Sequence, residues 1–201
     1  MRFPEFFDAA PRIRVRDPLA RFLGAAQDGV IEYTYADVVK LAGHSCPTVA
    51  SAYLMTRAAL RALYSDALPE RGGIRVELRD DRLAGVTGVV ANVTSFLTGA
   101  THDTGFKGIA GHFDRRGLLF FGVDIPGQIR FTRADTGATV TVYARLDRVP
   151  SDPRIILLLP RCVAGTATAD ETALFQSLWQ DRVRMLLVDS AEDPETIVVQ
   201  H

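Results

Sequence analysis

The sequence predicts an α+β fold, in which a mostly antiparallel sheet packs against helices. Apolar residues recur at spacings of three and four over residues 47–64, as they do on one face of a helix. Residues 129–147 alternate like two strands, with a hairpin turn at residues 135–137 between them. Helical and strand patterns are interspersed along the chain. Because the clearest strand pair is a hairpin, α+β is favoured over a doubly wound parallel sheet.

The amino-terminal region predicts little regular structure before the first clear helix. The first 25 residues are rich in Pro and Arg, and only a short helix near residues 19–23 is expected there. The next helix follows Thr34, which suits the N-cap, with Asp37 at the third helical position. Gly43 is suited to end this helix.

The main helix is predicted from Pro47 to Tyr64. Proline is favoured at the first helical position, because the missing N–H would have no intrahelical partner there. The residues expected on the buried face are Val49, Tyr53, Thr56, Leu60 and Leu63.

Three further elements are predicted in the middle of the chain. Residues 73–80 alternate like a strand with one apolar face. Residues 85–97 begin like a strand or loop and continue, from about residue 90, as a short buried helix that Gly99 closes. Residues 117–125 read as another strand.

The carboxy-terminal region predicts a strand followed by a helix. The continuous apolar run at residues 154–160 is interpreted as a central strand. Thr168 and Glu171 form a capping box, and the helix that they open is expected to continue to about residue 188.

Composition restricts the class of function. The formal net charge is -1, so a general basic field for nucleic acid or an anionic membrane is not expected. Apolar runs fall short of the ~20 residues that span a bilayer. The opening residues lack the apolar stretch of a signal peptide. The two cysteines, Cys46 and Cys162, offer no disulfide framework, so a cytoplasmic protein is expected.

The stretch G-H-S-C-P at residues 43–47 is the first candidate site. If Cys46 caps the helix that Pro47 opens, its sulfur lies beside free backbone N–H groups, which favour the thiolate. His44 lies two residues earlier, and imidazole with thiolate suits zinc or a similar metal. The alternative is structural: a small buried cysteine and a histidine at the surface of a turn.

The second candidate is the loop at residues 97–112, which is rich in glycine, hydroxyl and ionisable side chains. Such a composition suits close approach of backbone to a ligand, with Thr101 and Lys107 as candidate binding residues. Lys107 would hold an anionic group. A solvated connection between a helix and a strand is an equally good interpretation of this loop alone.

Taken together, the two stretches resemble the FmdE-like family, which takes its name from a component of formylmethanofuran dehydrogenase. The family pattern is a short helix, then G-H-x-C-P opening a long helix, and later a T-G-C-T loop followed by a glycine–lysine element. The resemblance covers about residues 30–150. The matching residues are Gly43, His44, Cys46, Pro47, Ala52, Tyr53, Thr98, Gly99 and Thr101.

The resemblance implies a single domain over residues 1–201, with its core at about 30–150 and residues 154–190 packed on that core. It also implies a bound metal, typically zinc, held by the His and Cys of G-H-x-C-P and the Cys of T-G-C-T. Here those positions carry His44, Cys46 and Ala100. Alanine cannot bind a metal, so His102 is the expected replacement, and Asp103 would either orient it or bind the metal itself.

Three functions remain open at this point. The first is a metal-binding protein, in which His44, Cys46 and His102 hold one divalent ion and leave a position for a small molecule. The second is a non-catalytic accessory subunit of a molybdenum- or tungsten-type redox complex, with a degenerate site. The third is a thiol enzyme with Cys46 as nucleophile and His44 or His102 as base. A homodimer is also expected.

Overall fold

The computed structural model describes residues 2–201 and has the expected α+β fold. Five strands form the main sheet, and all its pairs are antiparallel except one; two further strands form a separate antiparallel pair. The strands are β1 (Ile13–Arg16), β2 (Val30–Tyr33), β3 (Ile74–Leu78), β4 (Leu119–Phe120), β5 (Ile129–Arg133), β6 (Thr139–Ala144) and β7 (Ile197–Gln200). The main sheet has the order β4-β3-β5-β6-β7, with β3 and β4 parallel.

α-Helices are the other main elements of the described residues. They are α1 (Pro18–Phe22), α2 (Tyr35–Ala42), α3 (Pro47–Tyr64), α4 (Thr87–Thr98), α5 (Arg154–Val163) and α6 (Ala169–Arg184). Helix α3 is central, because it contacts α2 and α4 on one side and β6 and β7 on the other. Its predicted inner face is buried from Val49 to Leu63, and the burial extends around most of the helix.

The predicted helix boundaries near the first candidate site are confirmed. The Thr34 hydroxyl accepts a hydrogen bond from the Asp37 N–H, and the Asp37 carboxylate accepts one from the Thr34 N–H, which completes a capping box. Gly43 ends α2 with a φ of 74°, a conformation that glycine adopts without steric cost. Residues 43–46 alone separate α2 from α3, so the candidate residues lie on a short connection.

The strand predicted at residues 154–160 is wrong. This segment is α5, in which Ile155 and Leu158 are buried while Ile156 and Leu157 are exposed. A short apolar run does not distinguish a strand from a helix by periodicity. The packing of α5 against α6 decides for the helix, and the carboxy-terminal strand is β7 instead.

Smaller differences also arise from tertiary contacts. The region before residue 25 is less irregular than expected, because β1 pairs with β2. Helix α4 begins at Thr87, earlier than predicted. The strand expected over residues 117–125 is reduced to β4, which pairs with β3 over two residues. The hairpin of β5 and β6 and the helix opened by Thr168 are confirmed.

Candidate functional site

Cys46 caps α3, as the sequence predicts. Its sulfur accepts a hydrogen bond from the Val49 N–H at 3.5 Å, and the residue is 8% exposed within the hydrophobic core. Pro47 follows at the first helical position. The sulfur is therefore already engaged in satisfying a free N–H group of the helix start.

His44 faces away from that core. It is exposed, and its Nδ1 lies 3.0 Å from the carbonyl oxygen of Ala42. Ser45, between the two candidate residues, is held by α6: the indole N–H of Trp179 donates to its carbonyl oxygen at 3.0 Å. This contact holds the short connection between α2 and α3 in place. Within that connection, His44 lies at the surface and Cys46 lies in the core.

The second loop places its candidates at the surface. His102 and Lys107 are exposed, and the Nδ1 of His102 lies 3.1 Å from a carboxylate oxygen of Asp103. The expected contact between His102 and Asp103 is therefore present, but no further metal-binding side chains are grouped with it. Ala100, which the resemblance places at the third ligand position, is completely buried.

The proposed zinc ligands do not fit a metal site in this arrangement. Across residues 2–201, no three His, Cys, Asp or Glu side chains are placed so that they could hold one metal ion. His44, Cys46 and His102 are thus not brought together as a three-ligand group. Structural zinc requires four such ligands and catalytic zinc usually three.

Thr101 is hydrogen-bonded to a neighbouring segment of the protein. Its hydroxyl donates to the carbonyl oxygen of Arg115 at 2.7 Å, and its backbone N–H donates to the same oxygen at 2.9 Å. Thr101 therefore fastens the second loop to the segment around Arg115. It also lines a cleft of about 390 Å³ beside the carboxy-terminal end of α4.

Two arginines dominate this cleft, which we call the arginine cleft. Its polar lining residues are Arg71, Asn92, Ser95, Thr101 and Arg115, and its apolar walls include Leu19, Leu41, Phe96 and Phe106. Among the described residues that line it, none carries a carboxylate. The cleft therefore combines positive charge with apolar surface.

The two guanidinium groups form ion pairs with the same buried carboxylate. Asp17 caps α1 and accepts hydrogen bonds from Arg71 at 2.9 Å and from Arg115 at 2.7 Å. Burial alone would raise the pKa of Asp17, but hydrogen bonds from Arg71 and the Ala20 N–H, together with the charge of Arg115, bring it below its ordinary value. Asp17 is therefore ionised at neutral pH.

Sequence reasoning missed this cluster because its members come from separate segments. Asp17 precedes α1, Arg71 lies in the turn before β3, and Arg115 precedes β4. A partial signal was present at Asp17–Pro18, which is an N-cap followed by proline at the first helical position. The sequence spacing of Arg71 and Arg115 gave no indication that both would pair with Asp17.

Comparison with known proteins identified no relative of this chain. No family model matches the chain, and a search of curated proteins found none with significant similarity. Among residues 2–201, none of the helices combines the length and apolar character required to cross a membrane.

Proposed function

We propose that this protein is a non-catalytic accessory subunit, built on an FmdE-like core whose metal site has been lost. The observation that carries the proposal is the position of Cys46, whose buried sulfur is engaged as a helix cap. The buried Ala100 and the exposed His102 support it, because the family's third ligand is missing and its nearest substitute lies at the surface. The protein would act through the contacts that its surface makes.

The docking surface that we propose is the outer face of α5. Ile156, Leu157 and Val163 are between 72% and 80% exposed there, and Leu159 on the same helix is 39% exposed. Contiguous exposed apolar patches mark interaction sites. The inner side of α5 already packs against α6.

The proposed occupant is a second copy of the chain. Charged residues beside the patch are neutralised within the chain, since Arg161 pairs with Glu171 and Arg154 pairs with Asp152. Because the residues around the patch carry no excess charge of one sign, two copies of this surface would not repel each other. Two α5–α6 hairpins meeting through their outer faces would form a four-helix bundle related by two-fold symmetry.

Elemental analysis tests the loss of the metal site. The protein purified without chelators and then equilibrated with zinc should carry well under half an equivalent of any transition metal. One equivalent of zinc that disappears in Cys46→Ala would instead establish the metal-binding function. Retention or loss of that zinc in His102→Ala would then decide whether His102 is a ligand.

Sedimentation velocity tests the docking surface. The wild-type protein should sediment as a dimer, and Leu157→Glu should sediment as a folded monomer. Leu83→Glu is the matched control, because Leu83 is 87% exposed in the loop before α4 and lies outside the α5 patch. A wild-type monomer at all concentrations would overturn self-pairing, and a dimer unaffected by Leu157→Glu would exclude α5 as the interface.

A further inference from the structure

We propose that the arginine cleft binds a small organic anion, with its carboxylate or phosphate group at Arg71 and Arg115 and its apolar body against the cleft walls. This inference does not depend on the proposed accessory function, since the cleft and the α5 patch share no residues. It depends on charge, on unfinished hydrogen bonding and on the shape of the cleft.

The charge of the cluster is not balanced from inside the cleft. Arg71 and Arg115 share the single carboxylate of Asp17, which is buried and does not line the cleft. Glu70 also attracts Arg115, but it is exposed at the surface and lies outside the lining. The open side of the cluster therefore presents positive charge, and an oxyanion is the partner that neutralises it.

The protein also leaves hydrogen-bond donors of these arginines unused. Arg115 is 6% exposed, and its Nε is buried with no partner. Arg71 donates to Asp17 and twice to the carbonyl oxygen of Phe96, which is fewer bonds than a guanidinium can make. The Arg71 side chain is 21% exposed and lines the cleft, so its unused N–H groups are open to an anion there.

The guanidinium groups are fixed in place before any ligand arrives. Arg115 donates through Nη1 to the carbonyl oxygen of Arg71 and through Nη2 to Asp17. Gly72, with a φ of 88°, makes room for it: a Cβ there would lie 1.2 Å from Arg115 Nη1. Gly99 has a similar role, because its Cβ would lie 3.2 Å from Arg71 Nη1. A preformed pair of donors loses little entropy when it binds an anion.

The walls of the cleft define the rest of the ligand. Leu19, Leu41, Phe96 and Phe106 provide apolar surface beside the polar base. The volume of about 390 Å³ lies within the range of small-molecule sites, which are mostly apolar with a few placed polar groups. An inorganic ion would leave these walls uncovered, whereas an aromatic or aliphatic acid would cover them.

Calorimetric titration of the full-length protein tests this site with four probes: benzoate, phenyl phosphate, inorganic phosphate and benzyl alcohol. We expect one or both aromatic anions to bind, inorganic phosphate to bind at least tenfold more weakly, and benzyl alcohol not to bind. The preferred aromatic anion then identifies the oxyanion as carboxylate or phosphate. Failure of both aromatic anions to bind, or equal binding of benzyl alcohol, would overturn the proposal.

Two variants localise the binding. Arg71→Gln should weaken binding of the preferred anion at least tenfold, and the control Arg116→Gln, at an exposed arginine paired with Asp114, should leave it unchanged. Ser95 also lines the cleft, so Ser95→Tyr should fill it and weaken binding at least tenfold while both arginines remain in the sequence. This variant decides the matter if Arg71→Gln does not fold. Wild-type affinity in a folded Arg71→Gln or Ser95→Tyr protein would place the anion elsewhere and overturn the proposal.

Discussion

The G-H-S-C-P connection and the arginine cleft differ in how their side chains are used. The first contains the residue types of a reactive site next to one another in sequence, yet Cys46 caps a helix and His44 faces solvent. The second contains ordinary residues from distant segments, yet Arg71 and Arg115 converge on Asp17 and one buried donor is left free. Proximity in sequence therefore predicts local structure better than it predicts a site.

The physical reason is the different origin of the two arrangements. A helix start needs acceptors for its free N–H groups, and a short connection can supply them from its own side chains. A charged cluster in the interior needs partners that compensate for the loss of water, and these come from any segment that the fold brings near. Substitutions in each region test whether the two differ in this way.

The largest effect is expected for Asp17→Ala. This change removes the shared carboxylate and leaves Arg115 buried beside another cation. The free energy of unfolding should decrease by about 3–5 kcal/mol, as it does when one partner of a buried ion pair is removed. Urea denaturation followed by circular dichroism measures this change.

Asp135→Ala is the matched control for that experiment. Asp135 also pairs with an arginine, Arg133, but its side chain is 61% exposed. Exposed pairs contribute little to stability because solvent screens them, so a much smaller loss is expected. Equal losses in the two variants would mean that the cluster at Asp17 is no more important for stability than a surface pair.

Acidification should weaken the same cluster through protonation of Asp17. Its folded-state pKa lies below the ordinary value, so the carboxylate contributes stability above the unfolded-state value of about 4. That contribution decreases as the pH falls through the folded-state pKa. Glu77 behaves similarly, because a hydrogen bond from Arg130 and the charges of Arg75 and Arg130 lower its pKa despite burial.

Stability curves from about pH 6 to pH 2.5 measure this dependence. Wild-type protein should lose stability steeply below about pH 4. Asp17→Asn should show a shallower decrease, with the remaining slope due to Glu77 and other carboxylates. Parallel curves for the two proteins would show that Asp17 does not titrate at an abnormal pH and would contradict the cluster's electrostatic role.

Much of the fold followed from patterns whose physics is local. The N-cap at Thr34, the capping box at Thr168, the proline that opens α3 and the turn at residues 135–137 could each be predicted, because each one depends on residues close together in sequence. The helix at residues 154–163 could not be predicted from its own sequence, because its conformation depends on packing against α6. The arginine cleft could not be predicted either, since Arg71 and Arg115 are 44 residues apart in the sequence.

Cys46 should be important for stability through its cap. Cys46→Ala should reduce the free energy of unfolding by about 1 kcal/mol, the usual value of an N-cap. Cys46→Ser should lose less, because serine is a preferred N-cap, and Cys162→Ser at a partly exposed cysteine should change little. Equal destabilisation by the alanine and serine variants would mean that the sulfur contributes by packing or metal binding instead of capping.

The smallest effect is expected for His44→Ala, and it distinguishes the two residues of the same connection. The His44 ring is exposed and is hydrogen-bonded to the carbonyl oxygen of Ala42. Removing such a side chain should change the free energy of unfolding by less than about 0.5 kcal/mol. The Trp179 contact to Ser45 involves the backbone and survives the substitution. A loss near that of Cys46→Ala, together with zinc released from the wild type, would show that the two side chains act as a unit. The histidine and the cysteine would then have to be regarded as a metal site after all.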